Sequence, residues 1–342
     1  MVNLIHLIPF DGVGGVEVAA KSIIPSKNRD INLRIEYIFK DVDIRKNYWS
    51  TFNPLKFIMV AWQVARSDVD ILIVSLWRSS LVGLLAKSIR PRLKIITFLH
   101  LDRNVHLLDF IFTNLTARLS IEIWADSQAT LTKRIPNLQS INRRVISFVT
   151  QRLQPLPEKN VGPSFIFWGR LCQQKDLIRA IRLFSEFLKH RPDATFTIIG
   201  PDAGSLNDLK SLCVSMGLTN SVSFIGPVPH NKIMDYAQHA SFYLQTSLME
   251  GMAMSVVEAM QFGLIPVVTA VGEIATYCKD DFNAVLVTRD KESVRSVFEL
   301  LNNKNRYQEI RRNAIETWLN KPIYRDSLLD ACSDIVAAFN ID

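Results

Sequence analysis

Cysteine is scarce and scattered in this chain. Cys172, Cys213, Cys278 and Cys332 stand singly, with no C-x-x-C pair and no histidine at ligand spacing. That pattern excludes a zinc site of the usual spacings and a disulfide framework, and it fits a reducing cytosol. No basic leader precedes the apolar residues of the opening MVNLIHLIPFDG, and no later apolar run reaches the length that spans a bilayer. The expectation is a cytoplasmic protein, neither secreted through a signal peptide nor integral to a membrane, with peripheral attachment left open. The basic–aromatic motifs of nucleic-acid modules are missing too, because Lys and Arg are scattered among aliphatic helical patterns. No nucleic-acid partner is expected. The dinucleotide fingerprint also fails, since the third glycine of G-x-G-x-x-G counted from Gly12 falls on Glu17.

What is present describes a two-domain globular protein. The chain has 342 residues, 48% of them hydrophobic and 21% charged, which is more than one hydrophobic core usually serves. Its charge is uneven. Residues 1–160 carry 22 Lys and Arg against 13 Asp and Glu, a net +9, and residues 161–342 carry 18 against 20, a net −2, which together give the +7 of the whole chain. A basic first half suits nucleic acid, an anionic membrane surface or a phosphate-bearing substrate, and a solubilising surface explains it equally well.

In the first half, short apolar β-branched runs (2–8, 33–39, 70–75, 94–99, 121–125 and 145–149) alternate with amphipathic helical stretches at 16–24, 55–67, 81–89 and 107–118. The stretch QPLPEKNVGP at 154–163, with three prolines and a glycine, reads as a linker. A second series then begins, with strands at 164–168, 195–199, 222–225, 241–244, 265–269 and 284–287 separated by helical patterns. The prediction is α/β: two doubly wound, Rossmann-like domains, residues 1–158 and 159–323, followed by a helix in 324–342 that packs back on the first domain. Ligands of such sheets bind beyond the carboxyl ends of the strands, so two facing domains would share one central cleft.

Three segments carry chemistry. After the first strand, Asp11-Gly12-Val13-Gly14-Gly15-Val16-Glu17 puts glycines where backbone turns sharply and N–H groups could meet phosphate; a plain tight turn accounts for them as well. The run Gly169-Arg170-Leu171 with Lys175 places two cations between a strand and a helix, where they can neutralise a departing diphosphate, a task divalent metal performs elsewhere. Taken alone, the pair also reads as surface charge on a loop. The segment from Thr246 to Met260 holds Glu250 and Glu258. Here the loop and helix start at Gly251, Met252, Ala253, Met254 and Ser255 offer N–H groups to a phosphate, and the carboxylates accept hydrogen bonds from sugar hydroxyls. Without a ligand, the same carboxylates would be helix-terminal and surface acids.

In this order the three segments resemble glycosyltransferase family 4 over nearly the whole chain. Gly14-Gly15-Val16-Glu17 is similar to that family's N-terminal loop, Gly169-Arg170-Leu171 with Lys175 to its G-R-L…K element, and Glu250 with Glu258 to its E-x7-E motif. The resemblance implies a GT-B fold with the donor mainly on the second domain, a UDP- or GDP-linked sugar as donor substrate, and no separate cofactor or metal. It implies Arg170 and Lys175 on the diphosphate, Glu250 on the transferred sugar and Glu258 on the ribose hydroxyls. Gly14 and Gly15 would approach the donor across the cleft, the backbone at Val228 would meet the base, and His100 falls where the family often has a histidine near the donor sugar. His6 and His230 belong to no motif. Departures from the family pattern are Asp176 and Ala284 where glycine is common, and Met252 where an aromatic is frequent.

The implied reaction is retention at the anomeric carbon, with the leaving diphosphate helping to take the acceptor's proton. No carboxylate pair is arranged as acid and nucleophile in the manner of glycosidases. The expected acceptor is a glycan or lipid-linked glycan in bacterial surface polysaccharide assembly (O-antigen, capsule or lipopolysaccharide), met at the inner face of the membrane. A nucleotide-sugar epimerase of the same fold, and a non-catalytic nucleotide-sugar or nucleic-acid binding protein, are the rival readings.

Overall fold

The computed structural model describes residues 2–12, 15–23, 31–40, 51–138, 140–158 and 161–339. The chain divides into two compact units. Unit 1 comprises Met1–Gln151 with Pro322–Asp342, and unit 2 comprises Arg152–Lys321.

In unit 1, β1 (Val2–Phe10), β2 (Ile31–Phe39), β3 (Ile71–Ser75), β4 (Lys94–Leu99), β5 (Glu122–Ala125) and β6 (Asn142–Val145) form one sheet in the order β2-β1-β3-β4-β5-β6. Every pairing is parallel. Crossovers run through α1 (Gly15–Lys21), α2 (Pro54–Arg66), α3 (Leu76–Ile89), α4 (Leu107–Arg118) and α5 (Gln128–Lys133). Residues Ile71–Val74 are wholly buried because helices cover both faces of a parallel sheet, which is why β3 reads as an unbroken apolar run. One core fills the space between the sheet and α2 and α3, with Leu72, Val74 and Ile95 meeting Phe57, Val64 and Val82.

Unit 2 repeats the architecture with β7 (Ser164–Trp168), β8 (Thr195–Ile199), β9 (Val222–Gly226), β10 (Phe242–Gln245), β11 (Ile265–Val268) and β12 (Val285–Leu286). These too are all parallel, in the order β12-β11-β10-β7-β8-β9. Its helices are α6 (Leu177–Leu188), α7 (Leu206–Ser215), α8 (Ile233–Ala237), α9 (Met254–Phe262), α10 (Ile274–Tyr277), α11 (Asp290–Asn302) and α12 (Lys304–Leu319). The strand order reverses between β7 and β10 here, and between β1 and β3 in unit 1. At such reversals successive helices leave on opposite faces and a crevice opens beyond the strand ends. A final helix, α13 (Tyr324–Phe339), belongs to unit 1. The Tyr324 ring lies 5.2 Å from Phe148, and Arg144 pairs with Asp334 at 2.6 Å.

Several elements differ from the sequence reading. The strand expected at 145–149 is β6 at Asn142–Val145, a polar edge strand. The apolar residues after it, Ile146, Phe148 and Val149, are buried without being strand. Helix α3 starts five residues before the expected Leu81, because Trp77, Arg78, Ser79 and Ser80 are buried in its first turns. Helix α12 has no counterpart in the sequence reading, although Tyr307, Ile310, Ala314 and Trp318 recur on its buried side. The domain boundary at 158 also moves to Gln151: Leu156 donates its N–H to the Phe262 carbonyl and Leu153 to the Gln261 side chain, so this stretch packs on unit 2. Among the described residues no helix is long and apolar enough to cross a membrane.

Candidate active site

The strand-order reversal of unit 2 collects the second and third sequence motifs. Chain leaving β7 turns at Gly169. This is possible because β8 is followed by Gly200, where any Cβ would collide with the Gly169 carbonyl. Arg170 follows, exposed, and its guanidinium makes no ion pair among the described residues. A short 3₁₀ turn, Gln173–Lys175, then delivers Lys175 and ends at Asp176, which adopts φ 43°, ψ 49° and accepts from the Arg179 N–H at the head of α6. Here the departure from the family's glycine has a physical account. The backbone keeps the left-handed turn glycine favours, and an Asp tolerates it while capping the helix.

The loop after β10 is fastened to that turn. Leu248 donates its N–H to the Gln174 carbonyl at 2.9 Å, the Gln174 amide donates to the Met249 carbonyl at 2.8 Å, and Thr246 donates to the Asp176 carbonyl at 2.7 Å. On its other side the loop rests against Gly272, where a side chain would strike the Glu250 and Gly251 carbonyls. Glu250 is buried and ion-paired with Lys175 at 2.7 Å. Its three donors all reach the same oxygen: Lys175 Nζ, Ser247 Oγ at 2.6 Å and Gln245 Nε2 at 3.2 Å converge on Oε1. The second oxygen, Oε2, carries no hydrogen bond among the described residues. One carboxylate oxygen thus fixes the group and the other remains an acceptor.

Gly251, Met252, Met254 and Ser255 are half-buried and Ala253 is buried, together forming the bend into α9. Ala253, the N-cap of α9, sits at φ 55°, ψ 65°, a strained conformation for alanine. Ser255 donates to Gln245, which also receives the Tyr243 hydroxyl. Glu258 lies buried one turn further on. Trp168 Nε1 donates to its Oε2 at 2.9 Å, and His230 Nε2 stands 3.4 Å from its Oε1. Burial raises the Glu258 pKa, while the His230 charge and the Trp168 bond oppose that rise. Val228, half-buried, lies two residues before His230 in the loop after β9. Trp168, Gln245, Ser247 and His230 have no place in the sequence reading of this site, since only the folded chain brings them to the two glutamates.

The remaining candidates lie in unit 1. Gly14 is outside the described residues, and Gly15 is exposed at the first position of α1. His100 is buried, and burial lowers its pKa to about 3, as it does for His6. Both imidazoles are therefore neutral at pH 7, and their Nε2 atoms flank the Ser75 hydroxyl at 2.9 and 2.8 Å. Burial therefore favours a neutral, hydrogen-bonding imidazole at His100. His100 lines a cavity of about 220 Å³ beyond β1, β3 and β4, together with Phe10, Leu76, Trp77, His106 and Arg134.

Residues 150–317 match the family Glycosyl transferases group 1. This part of the chain is a group 1 glycosyltransferase domain. It contains all the candidate residues of unit 2. The chain is 28% identical over 131 residues to the GDP-mannose:cellobiosyl-diphosphopolyprenol alpha-mannosyltransferase of Xanthomonas oryzae, a match spanning 38% of this chain and 34% of that relative. It is 24% identical over 194 residues to the alpha-monoglucosyldiacylglycerol synthase of Acholeplasma laidlawii, covering 55% of this chain and 48% of that one. The alignments thus span a third to a half of the relatives' lengths. Among solved structures, Anabaena HepE in complex with UDP and glucose superposes with a TM-score of 0.79 at 16% identity, over 98% of this chain and 100% of that one. The group 1 domain and its companion unit therefore have the fold of GT-B glycosyltransferases.

Proposed function

We propose that the protein is a retaining, metal-independent glycosyltransferase that moves a sugar from a UDP- or GDP-linked donor to a glycan or lipid-linked acceptor. The observation that supports this most directly is Glu250, whose Oε1 is saturated by Lys175, Ser247 and Gln245 while Oε2 is left to accept a sugar hydroxyl. A carboxylate held this rigidly positions a hydroxyl-rich ring without becoming a nucleophile. Arg170 and Lys175 neutralise the diphosphate as the bond from the anomeric carbon to its oxygen breaks and the electron pair passes to phosphate. The acceptor oxygen bonds to the anomeric carbon on the vacated face, and its proton goes to the departing diphosphate. Glu258 accepts the ribose hydroxyls, the backbone at Val228 meets the base, and the N–H groups at the start of α9 face phosphate. The acceptor class follows from the basic first half of the chain and from the diphosphopolyprenol acceptor in the name of the Xanthomonas relative. It is a growing bacterial surface glycan on a lipid carrier, met at the inner, anionic face of the membrane.

A donor screen tests this. Purified full chain with EDTA and a panel of nucleotide sugars is expected to gain thermal stability with one donor and to release its nucleoside diphosphate slowly, and Glu250→Ala is expected to lose both. Absence of binding and release across the panel would favour a binding protein with another ligand, and interconversion of the donor sugar without acceptor would favour an epimerase.

Trp168→Phe tests Glu258. The substitution keeps an aromatic ring, though a smaller one, and removes the indole N–H that opposes the rise of the Glu258 pKa. Donor KM should rise about tenfold with kcat little changed, as expected for one lost hydrogen bond to a charged group. Affinity in wild type should fall as pH drops through the raised Glu258 pKa, because the protonated group has lost acceptor capacity. In the variant that fall should begin at higher pH. Superimposable pH profiles of KM would remove this role from Trp168.

A further inference from the structure

Helix α4 faces the wrong way for a helix of a parallel α/β unit. Its buried side is Asp109, Thr113, Thr116 and Ala117, and its outward side is Leu107, Leu108, Phe110, Ile111, Leu115 and Leu119. Leu107 is 69% exposed and Phe110 51%. Polar contacts hold the inner side down: Asp109 pairs with Arg134 at 2.7 Å and accepts from Thr113, and Thr116 donates to the Ser80 carbonyl. Helix α2 adds a second outward apolar stripe, Leu55, Ile58, Met59 and Trp62, opposite the side it buries in the core. The two helices flank α3 and pack on it from either side. Their outward faces therefore belong to one layer. An exposed apolar surface of this extent on a folded unit marks a face that something covers.

The charges around it say what. Helices α2, α3 and α4 hold a single carboxylate, Asp109, buried and ion-paired, against Lys56, Arg66, Lys87, Arg118 and the buried Arg78. The Arg66 guanidinium lies 4.1 Å over the Trp62 ring, and exposed Arg103 precedes α4. A second copy docked face to face would oppose cation to cation. A surface of apolar chains topped by anionic headgroups complements both features, and a Trp ring with a neighbouring cation suits the boundary between them.

We propose that the outward faces of α4 and α2 are the surface by which unit 1 docks on an anionic lipid bilayer. This rests on the membrane-surface part of the proposed function and is independent of its sugar chemistry. The same helix α4 lines the 220 Å³ cavity of unit 1 through His106, Asp109 and Thr113, so docking brings the bilayer to the outer wall of that cavity.

The test is co-sedimentation of the full chain with phosphatidylglycerol-containing vesicles and with pure phosphatidylcholine vesicles. Wild type is expected to pellet with the anionic vesicles, less so as salt rises. F110E/L115E is expected to partition about a hundredfold more weakly, with thermal midpoint and donor-induced stabilisation unchanged. L107S/L119S, a milder pair, should weaken partition in the same direction. Wild type remaining in the supernatant overturns the membrane reading together with this face. Both double variants pelleting like wild type leaves membrane attachment standing and overturns the face. A concentration-dependent dimer that F110E/L115E abolishes would give the face to a second copy instead.

Discussion

Alanine at Arg170 should lower turnover by about two to three orders of magnitude and leave thermal stability where it was. The separation of the two readouts follows from the side chain's surroundings. Arg170 is exposed, and its guanidinium pairs with no carboxylate among the described residues, so the folded state loses little when it is removed. An unpaired cation on the loop after β7 has its partner to come. If that partner is the charge that builds on a departing diphosphate, the interaction is strongest in the transition state and its loss falls on kcat rather than on KM. The measurement is steady-state kinetics with the donor found by screening, beside a melting curve. Wild-type kcat in the Arg170→Ala variant would remove Arg170 from the leaving-group site, whatever the fate of Lys175.

Both halves of the architecture were legible because parallel strands buried on two faces leave unbroken apolar runs such as Ile71–Val74 and Phe165–Trp168. That the charged residues of the candidate site fall together was legible for a different reason: the turns that carry them are short and punctuated by glycine. Arg170 and Lys175 leave β7, and Glu250 leaves β10, so topology alone brings them to one strand-order reversal. What could not be read is whatever is made by contact across the fold. Trp168 looks like the last core residue of a strand, yet its N–H holds Glu258. Gln245 and Ser247 look like strand end and loop, yet with Lys175 they saturate one oxygen of Glu250. Helix α12 escaped because its exposed faces are so polar that four buried residues in sixteen positions are diluted. Helix α4 was legible over its full length, Leu107–Arg118. Its amphipathic pattern is real, but periodicity cannot tell which side faces the sheet.

The ion pair of Lys175 and Glu250 should behave quite differently from Arg170. Both side chains are about nine-tenths buried, at 11% and 7% exposure. Removing one partner leaves a buried charge uncompensated, at a cost of about 3–5 kcal/mol. Lys175→Met and Glu250→Gln alone should each lower stability by an amount in or near that range, Glu250→Gln less because its amide can still accept from Ser247. The double variant K175M/E250Q should be more stable than the sum of the two losses allows, by about 2 kcal/mol or more, since it leaves neither charge behind. Turnover should not recover with it. The leaving group would lose the Lys175 cation, and the amide that replaces the Glu250 carboxylate would present a weaker acceptor to the transferred sugar. A double variant that regains stability and stays inactive separates holding the loop together from acting on the donor. Strictly additive losses of stability, measured by denaturant unfolding, would show that the 2.7 Å contact is not an energetic unit in solution. Recovery of turnover alongside stability would show that the pair serves folding alone, leaving Arg170 as the cation that meets the diphosphate.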